Sequence, residues 1–238
     1  MYVIAFASQK GGSGKTTLAG HIAVEAERTG LSPVVLMDTD PQGSLSQWWN
    51  VREADTPAFV RTSENGLASD LAALRASGTG LVVIDTPPAI TGTIGKVIAQ
   101  ADLVVIPTRP SPHDLRAAGA TVQICEEQNK PLVFALNGAA TRARITAEAA
   151  IALSHHGAVS PAIVHQRVDF ASAMIDGRTV MELGGSSRSP AEISELWGFL
   201  KSRLTGEAAS PLLSAVEQVT KKEPMTPTHD DDALRGAA

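Results

Sequence analysis

The chain has 238 residues, 43% of them hydrophobic, one cysteine and a formal net charge of −5. That length can bury a large core without metals or disulfides, a lone cysteine cannot build a disulfide framework, and the acidic balance argues against coating nucleic acid by bulk charge. No apolar run reaches the roughly 18 to 20 residues that span a bilayer, and the N-terminus reads as a strand, not a basic-then-apolar signal, so a soluble cytoplasmic protein is expected.

In chain order, the apolar run of residues 2–7 leads into Gln9-Lys-Gly-Gly-Ser-Gly-Lys-Thr-Thr17, and helical spacing of Leu18, Ile22, Ala23 and Ala26 follows over 17–29 until Gly30 stops it. Strand, glycine loop and helix is the order a phosphate cradle needs. Glycines let successive N–H groups turn inward on an anion, and the helix offers its positive end. Gly14, Lys15 and Thr16 fit the G-x-x-x-x-G-K-[ST] pattern, with Lys15 aimed at the β- and γ-phosphates and Thr16 at Mg²⁺, while Gln9 stands where the first glycine is usual. Lys10 adds a second ammonium, which one short loop cannot easily direct onto the same phosphate. It is therefore expected to be free to serve another subunit. The alternative is a glycine-rich turn with two solvated lysines.

Residues 33–38 read as the next buried strand. A weakly apolar stretch with Trp48, Trp49 and Phe59 leads to a helix over 66–76, and buried strands follow at 80–85, 101–107 and 131–137. Cys125 falls in a helix over 117–128, with core filling as its expected role. Beyond lie a helix over 146–156, a short strand over 162–165 and a helix over 190–204. β-Branched runs without polar alternation, separated by helices, describe a doubly wound α/β fold with a mostly parallel sheet. The expected organisation is one domain over 1–206, then a short helix and a disordered acidic tail over 207–238, where Pro211, Pro224, Pro227 and Asp230-Asp-Asp232 fall.

In such sheets ligands bind beyond the carboxyl ends of the strands. Asp85 ends its strand as a metal-side carboxylate must, or else caps the turn at Thr86-Pro87-Pro88. Asp38-Thr-Asp40 places two carboxylates two apart, so Asp38 can support the metal shell while Asp40 lies nearer the γ-phosphate and its water. Turn formation by Asp40-Pro41-Gln42-Gly43 is the other reading.

Lys10-Gly-Gly-Ser-Gly-Lys-Thr-Thr17, Asp38-Thr-Asp-Pro-Gln-Gly-Ser44, Asp85-Thr-Pro-Pro88 and Val105-Ile-Pro-Thr-Arg-Pro-Ser-Pro112 occur in the order and spacing of the ParA/MinD family of deviant Walker A ATPases. The chain resembles its short ParA branch, most strongly over 1–140. The resemblance implies a P-loop fold, ATP and Mg²⁺, with Gly11, Gly12, Ser13, Gly14, Lys15, Thr16 and Thr17 on the nucleotide of their own subunit. It implies Lys10 reaching across an ATP-sandwich homodimer, Asp40 placing the water, Asp38 and Asp85 beside Thr16 on the magnesium side, and Asn137 against adenine, although an Asn before Gly138 is also an ordinary turn residue.

Relatives of this kind bind nucleoid DNA without sequence preference, hydrolyse ATP slowly and are stimulated by a cargo-bound adaptor. Arg142, Arg144, Arg167, Arg178, Arg188, Lys201 and Arg203 are the candidates for DNA contact, each of which also reads as an ordinary solvated cation. No helix-turn-helix precedes the first strand, so an operator-binding role is not expected. The competing readings are a MinD-like membrane-associated ATPase, which the mildly amphipathic segment 210–222 and the acidic run after it do not favour, and a metabolic P-loop ligase.

Overall fold

The strands form because every second residue of each run packs on one face of the sheet and the rest on the other, so both faces are apolar. In the computed structural model, which describes residues 1–88 and 92–206, the central strands are β1 (Tyr2–Phe6), β2 (Val34–Asp38), β4 (Leu81–Asp85), β5 (Leu103–Thr108) and β6 (Leu132–Ala139). Shorter β3 (Ala58–Arg61), β7 (Ala158–Val159) and β8 (Val164–His165) complete an eight-stranded sheet in the order β3-β2-β4-β1-β5-β6-β7, with β8 on β6. All the pairings are parallel. Register aligns Phe6 with Asp85 and Asp85 with Asp38, so the ends of three neighbouring strands lie level.

One face carries Ile4, Phe6, Leu36, Val83 and Val105 against α1 (Lys15–Arg28), α2 (Ser44–Asn50) and α8 (Ser189–Thr205). The other carries Val3, Ala5, Met37, Ile84 and Ile106 against α3 (Leu67–Ala76), α4 (Gly92–Gln100), α5 (Pro112–Glu127) and α6 (Arg144–Ser154). By alternation Asp38 and Asp85 fall on the α1 face. Among the described residues a further helix, α7 (Val168–Ile175), and a 3-10 turn at Val180–Glu182 bring Phe170, Ala173 and Val180 into the first layer.

Several bounds differ from those expected. The helix expected at 117–128 begins at Pro112, because Ser111 accepts the Asp114 N–H at 3.2 Å and Pro112 starts the first turn, where its missing N–H has no intrahelical use. The stretch around the two tryptophans is a helix and an edge strand, α2 and β3. Of the strand expected at 162–165 only Val164–His165 pairs. Cys125 is a buried thiol pushed up to about 12 by its burial, in keeping with core filling. No described helix is long and apolar enough to cross a membrane. The helix and tail expected over 207–238 lie outside the described residues.

Candidate nucleotide site

The loop between β1 and α1 is built to hold an anion. Gly12 and Gly14 have φ of +74° and +99°, a region in which side chains are strained, and an ideal Cβ on Gly14 would lie 2.0 Å from Asn137 Nδ2. Gly14 precedes α1 without a side-chain cap, which leaves the first N–H groups of the helix available. Ser13 is buried, and among the described residues its hydroxyl has no partner. A hollow of about 840 Å³ opens over this loop, and Asp40, Gln42, Trp48, Arg109, Gln166, Phe170 and Met174 contribute to its other walls.

Lys15 is buried, and its Nζ donates to the Lys10 carbonyl at 3.3 Å. Burial lowers its pKa, opposed by attraction to Asp85 and then Asp40, so all three charges share one low-dielectric neighbourhood. Asp85 is 0% exposed, accepts the Thr16 hydroxyl at 2.6 Å and the Thr86 N–H at 3.0 Å. Burial pushes its carboxyl up to about 7; Asp38 and Asp40 add to the rise, while Thr16 and Lys15 oppose it. Among the described residues no group of three or more His, Cys, Asp or Glu could hold a metal ion. A hydroxyl beside an under-compensated carboxylate is nevertheless what magnesium asks of a protein when phosphate oxygens and water complete its shell, and Thr16 and Asp85 fit that demand.

Asp38 and Asp40 differ in what their oxygens already do. The Asp38 carboxylate accepts the Asp40 N–H at 3.0 Å, the Ser46 N–H at 2.9 Å and the Ser46 hydroxyl at 3.0 Å, and so holds the first turn of α2 against the end of β2. Among the described residues the Asp40 carboxylate accepts only the Gln42 N–H, at 2.9 Å, which leaves it an oxygen to spare; its carbonyl accepts the Gly43 N–H at 2.9 Å, and the residue lines the hollow. The turn reading thus describes Asp40, and its place in the wall of the hollow leaves it accessible to a ligand there.

Lys10 is not free within its own subunit. Its Nζ lies 2.5 Å from Asp114 Oδ2; Lys10 is 37% exposed and Asp114 only 4%. The Ser111 hydroxyl donates to the same carboxylate. Neither partner was expected from the sequence, although Ser111-Pro-His-Asp114 carries the S-x-x-D spacing of a helix start. Asn137 lies within β6, which continues to Ala139, and its Nδ2 donates to the Ser13 carbonyl at 2.8 Å, so it braces the loop. It also lines the hollow. Trp48 and Met174, also in its walls, carry no motif of their own, whereas Arg109 belongs to the 105–112 run.

Three of the seven basic candidates share one hollow. Arg142, Arg167 and Arg188 line a second hollow of about 460 Å³, together with Glu192 and Glu195. Arg167 is paired with Glu192 at 2.7 Å, Arg144 with Glu148 at 2.9 Å and Arg178 with Asp176 at 2.6 Å. Arg203 lies over the Phe199 ring at 5.1 Å, and Lys201 is half-buried on α8.

Residues 4–224 match the family model described as the CobQ/CobB/MinD/ParA nucleotide binding domain. The chain is 30% identical over 200 residues to the maintenance of carboxysome distribution protein A of Halothiobacillus neapolitanus, covering 80% of this chain and 92% of that protein. In fold it resembles the septum site-determining protein MinD of Pyrococcus horikoshii OT3 complexed with Mg-ADP, at a TM-score of 0.71 and 15% identity over 88% of this chain and 99% of that one. A Cyanothece McdA–ATP complex gives a TM-score of 0.67 at 18% identity, covering 86% and 96% of the two chains. With a phosphate-cradle loop at the ends of level parallel strands and a family match along most of its length, the chain belongs to the CobQ/CobB/MinD/ParA nucleotide-binding family and is an ATPase of its ParA/MinD branch.

Proposed function

We propose that this ATPase works as a ParA-type positioning device, in which ATP closes a sandwich dimer, the dimer holds nucleoid DNA without sequence preference, and hydrolysis stimulated by a cargo-bound adaptor releases it. The observation that carries the reading is the pair of lysines on one loop with unequal surroundings. Lys15 is buried and attracted by Asp85 and Asp40 of its own subunit, whereas Lys10 is partly exposed and, among the described residues, held by one ion pair.

In this reading the loop N–H groups and Lys15 take the phosphates of the home nucleotide, and Thr16 and Asp85 hold magnesium, which supplies charge neutralisation at the phosphates when bound. Asp38 supports that side by fixing α2. Asp40, with its spare oxygen, orients the attacking water. Thr17 and Asn137 complete the nucleotide wall. Lys10 leaves Asp114 and reaches the partner's phosphates, so that turnover requires two subunits. DNA is held by the Arg142, Arg167 and Arg188 hollow, with Arg144, Arg178, Lys201 and Arg203 in lesser roles. The Halothiobacillus relative is named for carboxysome distribution, which favours a protein assembly as cargo. The protein acts in the cytoplasm, on the nucleoid.

The test is light scattering of the full chain with ATP and with ADP, followed by DNA retention across a salt series and pelleting with anionic vesicles. ATP-dependent dimers that retain DNA at low salt and release it at high salt are expected. A chain that binds ATP and stays monomeric overturns the sandwich, and vesicle binding in place of DNA retention transfers the protein to the membrane-associated reading.

A further inference from the structure

The Asp40 loop is held on one side by Asp38 through the first turn of α2. At the other end of that helix stands a junction with residues 177–182. Arg52, with a side chain 4% exposed, donates from both terminal nitrogens to the Glu182 carboxylate, at 2.6 and 2.9 Å. It also donates to the Gly177 carbonyl at 2.8 Å and the Thr56 carbonyl at 2.9 Å. Its guanidinium lies 5.5 Å from the centre of the Trp48 ring, and Trp48 donates its indole N–H to the Arg178 carbonyl at 3.1 Å.

Glu182 is equally committed, because it also accepts the Thr179 N–H at 2.8 Å and hydroxyl at 2.7 Å. Although burial opposes it, the Arg52 and Thr179 hydrogen bonds hold the Glu182 carboxyl below its ordinary range. The backbones touch as well. Gly177, at φ +78°, has no room for a Cβ, which would lie 2.4 Å from Arg52 Cα.

A buried ion pair is weak evidence for stability, since desolvation opposes its attraction. What a bidentate fork supplies is direction, and here it ties together two walls of the nucleotide hollow. α2 and the loop before it supply Asp40, Gln42 and Trp48; α7, which ends just before Gly177, supplies Phe170 and Met174. Trp48 also packs on Gly20 of α1, with ring atoms 3.4 Å from an ideal Cβ there, so the junction touches the phosphate-loop helix.

We propose that Arg52 and Glu182 are positioning residues for ATP hydrolysis, fixing the Asp40 loop against α7 across the nucleotide hollow. The proposal rests on Asp40 as the water-orienting residue. A displaced base or water loses rate far more than it loses ground-state binding, so the pair acts on kcat.

Arg52→Lys keeps the charge but cannot make the fork, and Glu182→Gln keeps an acceptor for Thr179. Phosphate release at graded ATP, with thermal melting of the same samples, is expected to give kcat lower by about tenfold for each variant and KM within about twofold. The double variant is expected to be no slower than the slower single one, because the two act as one unit. Variants that melt as folded proteins and turn over at the parental rate overturn the proposal, as do additive losses. So does a kcat loss that only tracks the folded fraction, or a failure of both variants to fold. Asp40→Ala run alongside separates the two layers: parental hydrolysis there removes the underlying role of Asp40, whereas its loss beside unaffected Arg52 and Glu182 variants removes only the positioning claim.

Discussion

The strand ends at the phosphate loop and the outer surface of residues 141–205 treat charge in opposite ways. At the loop, Lys15, Asp38 and Asp85 are all buried, and each answers to several neighbours, so none can change without unbalancing the others. On the outer surface, Arg144 and Arg178 each face one acid in the open, with side chains 92% and 51% exposed. Buried charges form a mechanism, while exposed ones are held loosely and replaced cheaply.

The largest test of that contrast is Lys15→Ala. Removing the ammonium leaves Asp85 and Asp40 without their shared cation and the phosphates without their home charge, and ATP turnover is expected to fall by about a thousandfold. Phosphate release by the purified variant is the measurement. Turnover comparable to the parent would mean that the buried cluster is scaffolding.

Next is His21, on α1 below the loop, which is 0% exposed. Its Nδ1 lies 2.7 Å from the Thr17 carbonyl, its Nε2 has no partner among the described residues, and its ring meets Phe170 at 5.2 Å. Burial pushes its pKa down to about 4, although the Thr17 carbonyl and Glu182 act the other way. The unfolded chain takes a proton on this ring below about pH 6.5, whereas the folded chain resists until about pH 4. The unfolded state thus binds more protons inside that window, and stability falls as pH drops through it. From about pH 7 to about pH 5 the loss from this residue is about 2 kcal/mol. Denaturant midpoints at the two pH values should show it, and His21→Leu should flatten the difference. An equal slope in both chains would show that His21 takes its proton alike in the folded and unfolded states.

How much of this was legible in the sequence follows from where the information is local. The loop, Asp38, Asp40 and Asp85 could be read because a phosphate cradle demands particular backbone at consecutive positions, and because buried parallel strands are unbroken apolar runs that end where ligands bind. α2, α4 and α7 were not read; α2 and α7 are short, and tertiary packing settles them more than their own spacing does. The Lys10 and Asp114 pair joins residues 104 apart and the Arg52 and Glu182 fork residues 130 apart. No pattern along the chain shows that either pair meets. Asn137 was visible as the polar residue of an apolar strand, but its bond to the Ser13 carbonyl depends on β6 passing behind the loop.

The smallest expected effects belong to the basic surface and sharpen the contrast most finely. Among the described residues Arg142 and Arg188 have no ion pair, and both line the hollow that Arg167 also borders. A cation without an acid partner can release counterions from DNA in full, whereas one already paired must first lose that partner. Arg142→Ala and Arg188→Ala are each expected to lower the slope of log affinity against log salt by about one, and Arg144→Ala and Arg178→Ala to leave it nearly unchanged. Arg167→Ala combines two effects, because it also strips Glu192 of its guanidinium while His165 stays on that carboxylate at 2.9 Å. It should therefore lower the melting temperature slightly as well as the slope. Equal slopes for all five variants would mean that DNA, if held, is held on some other face, and the hollow would revert to ordinary surface.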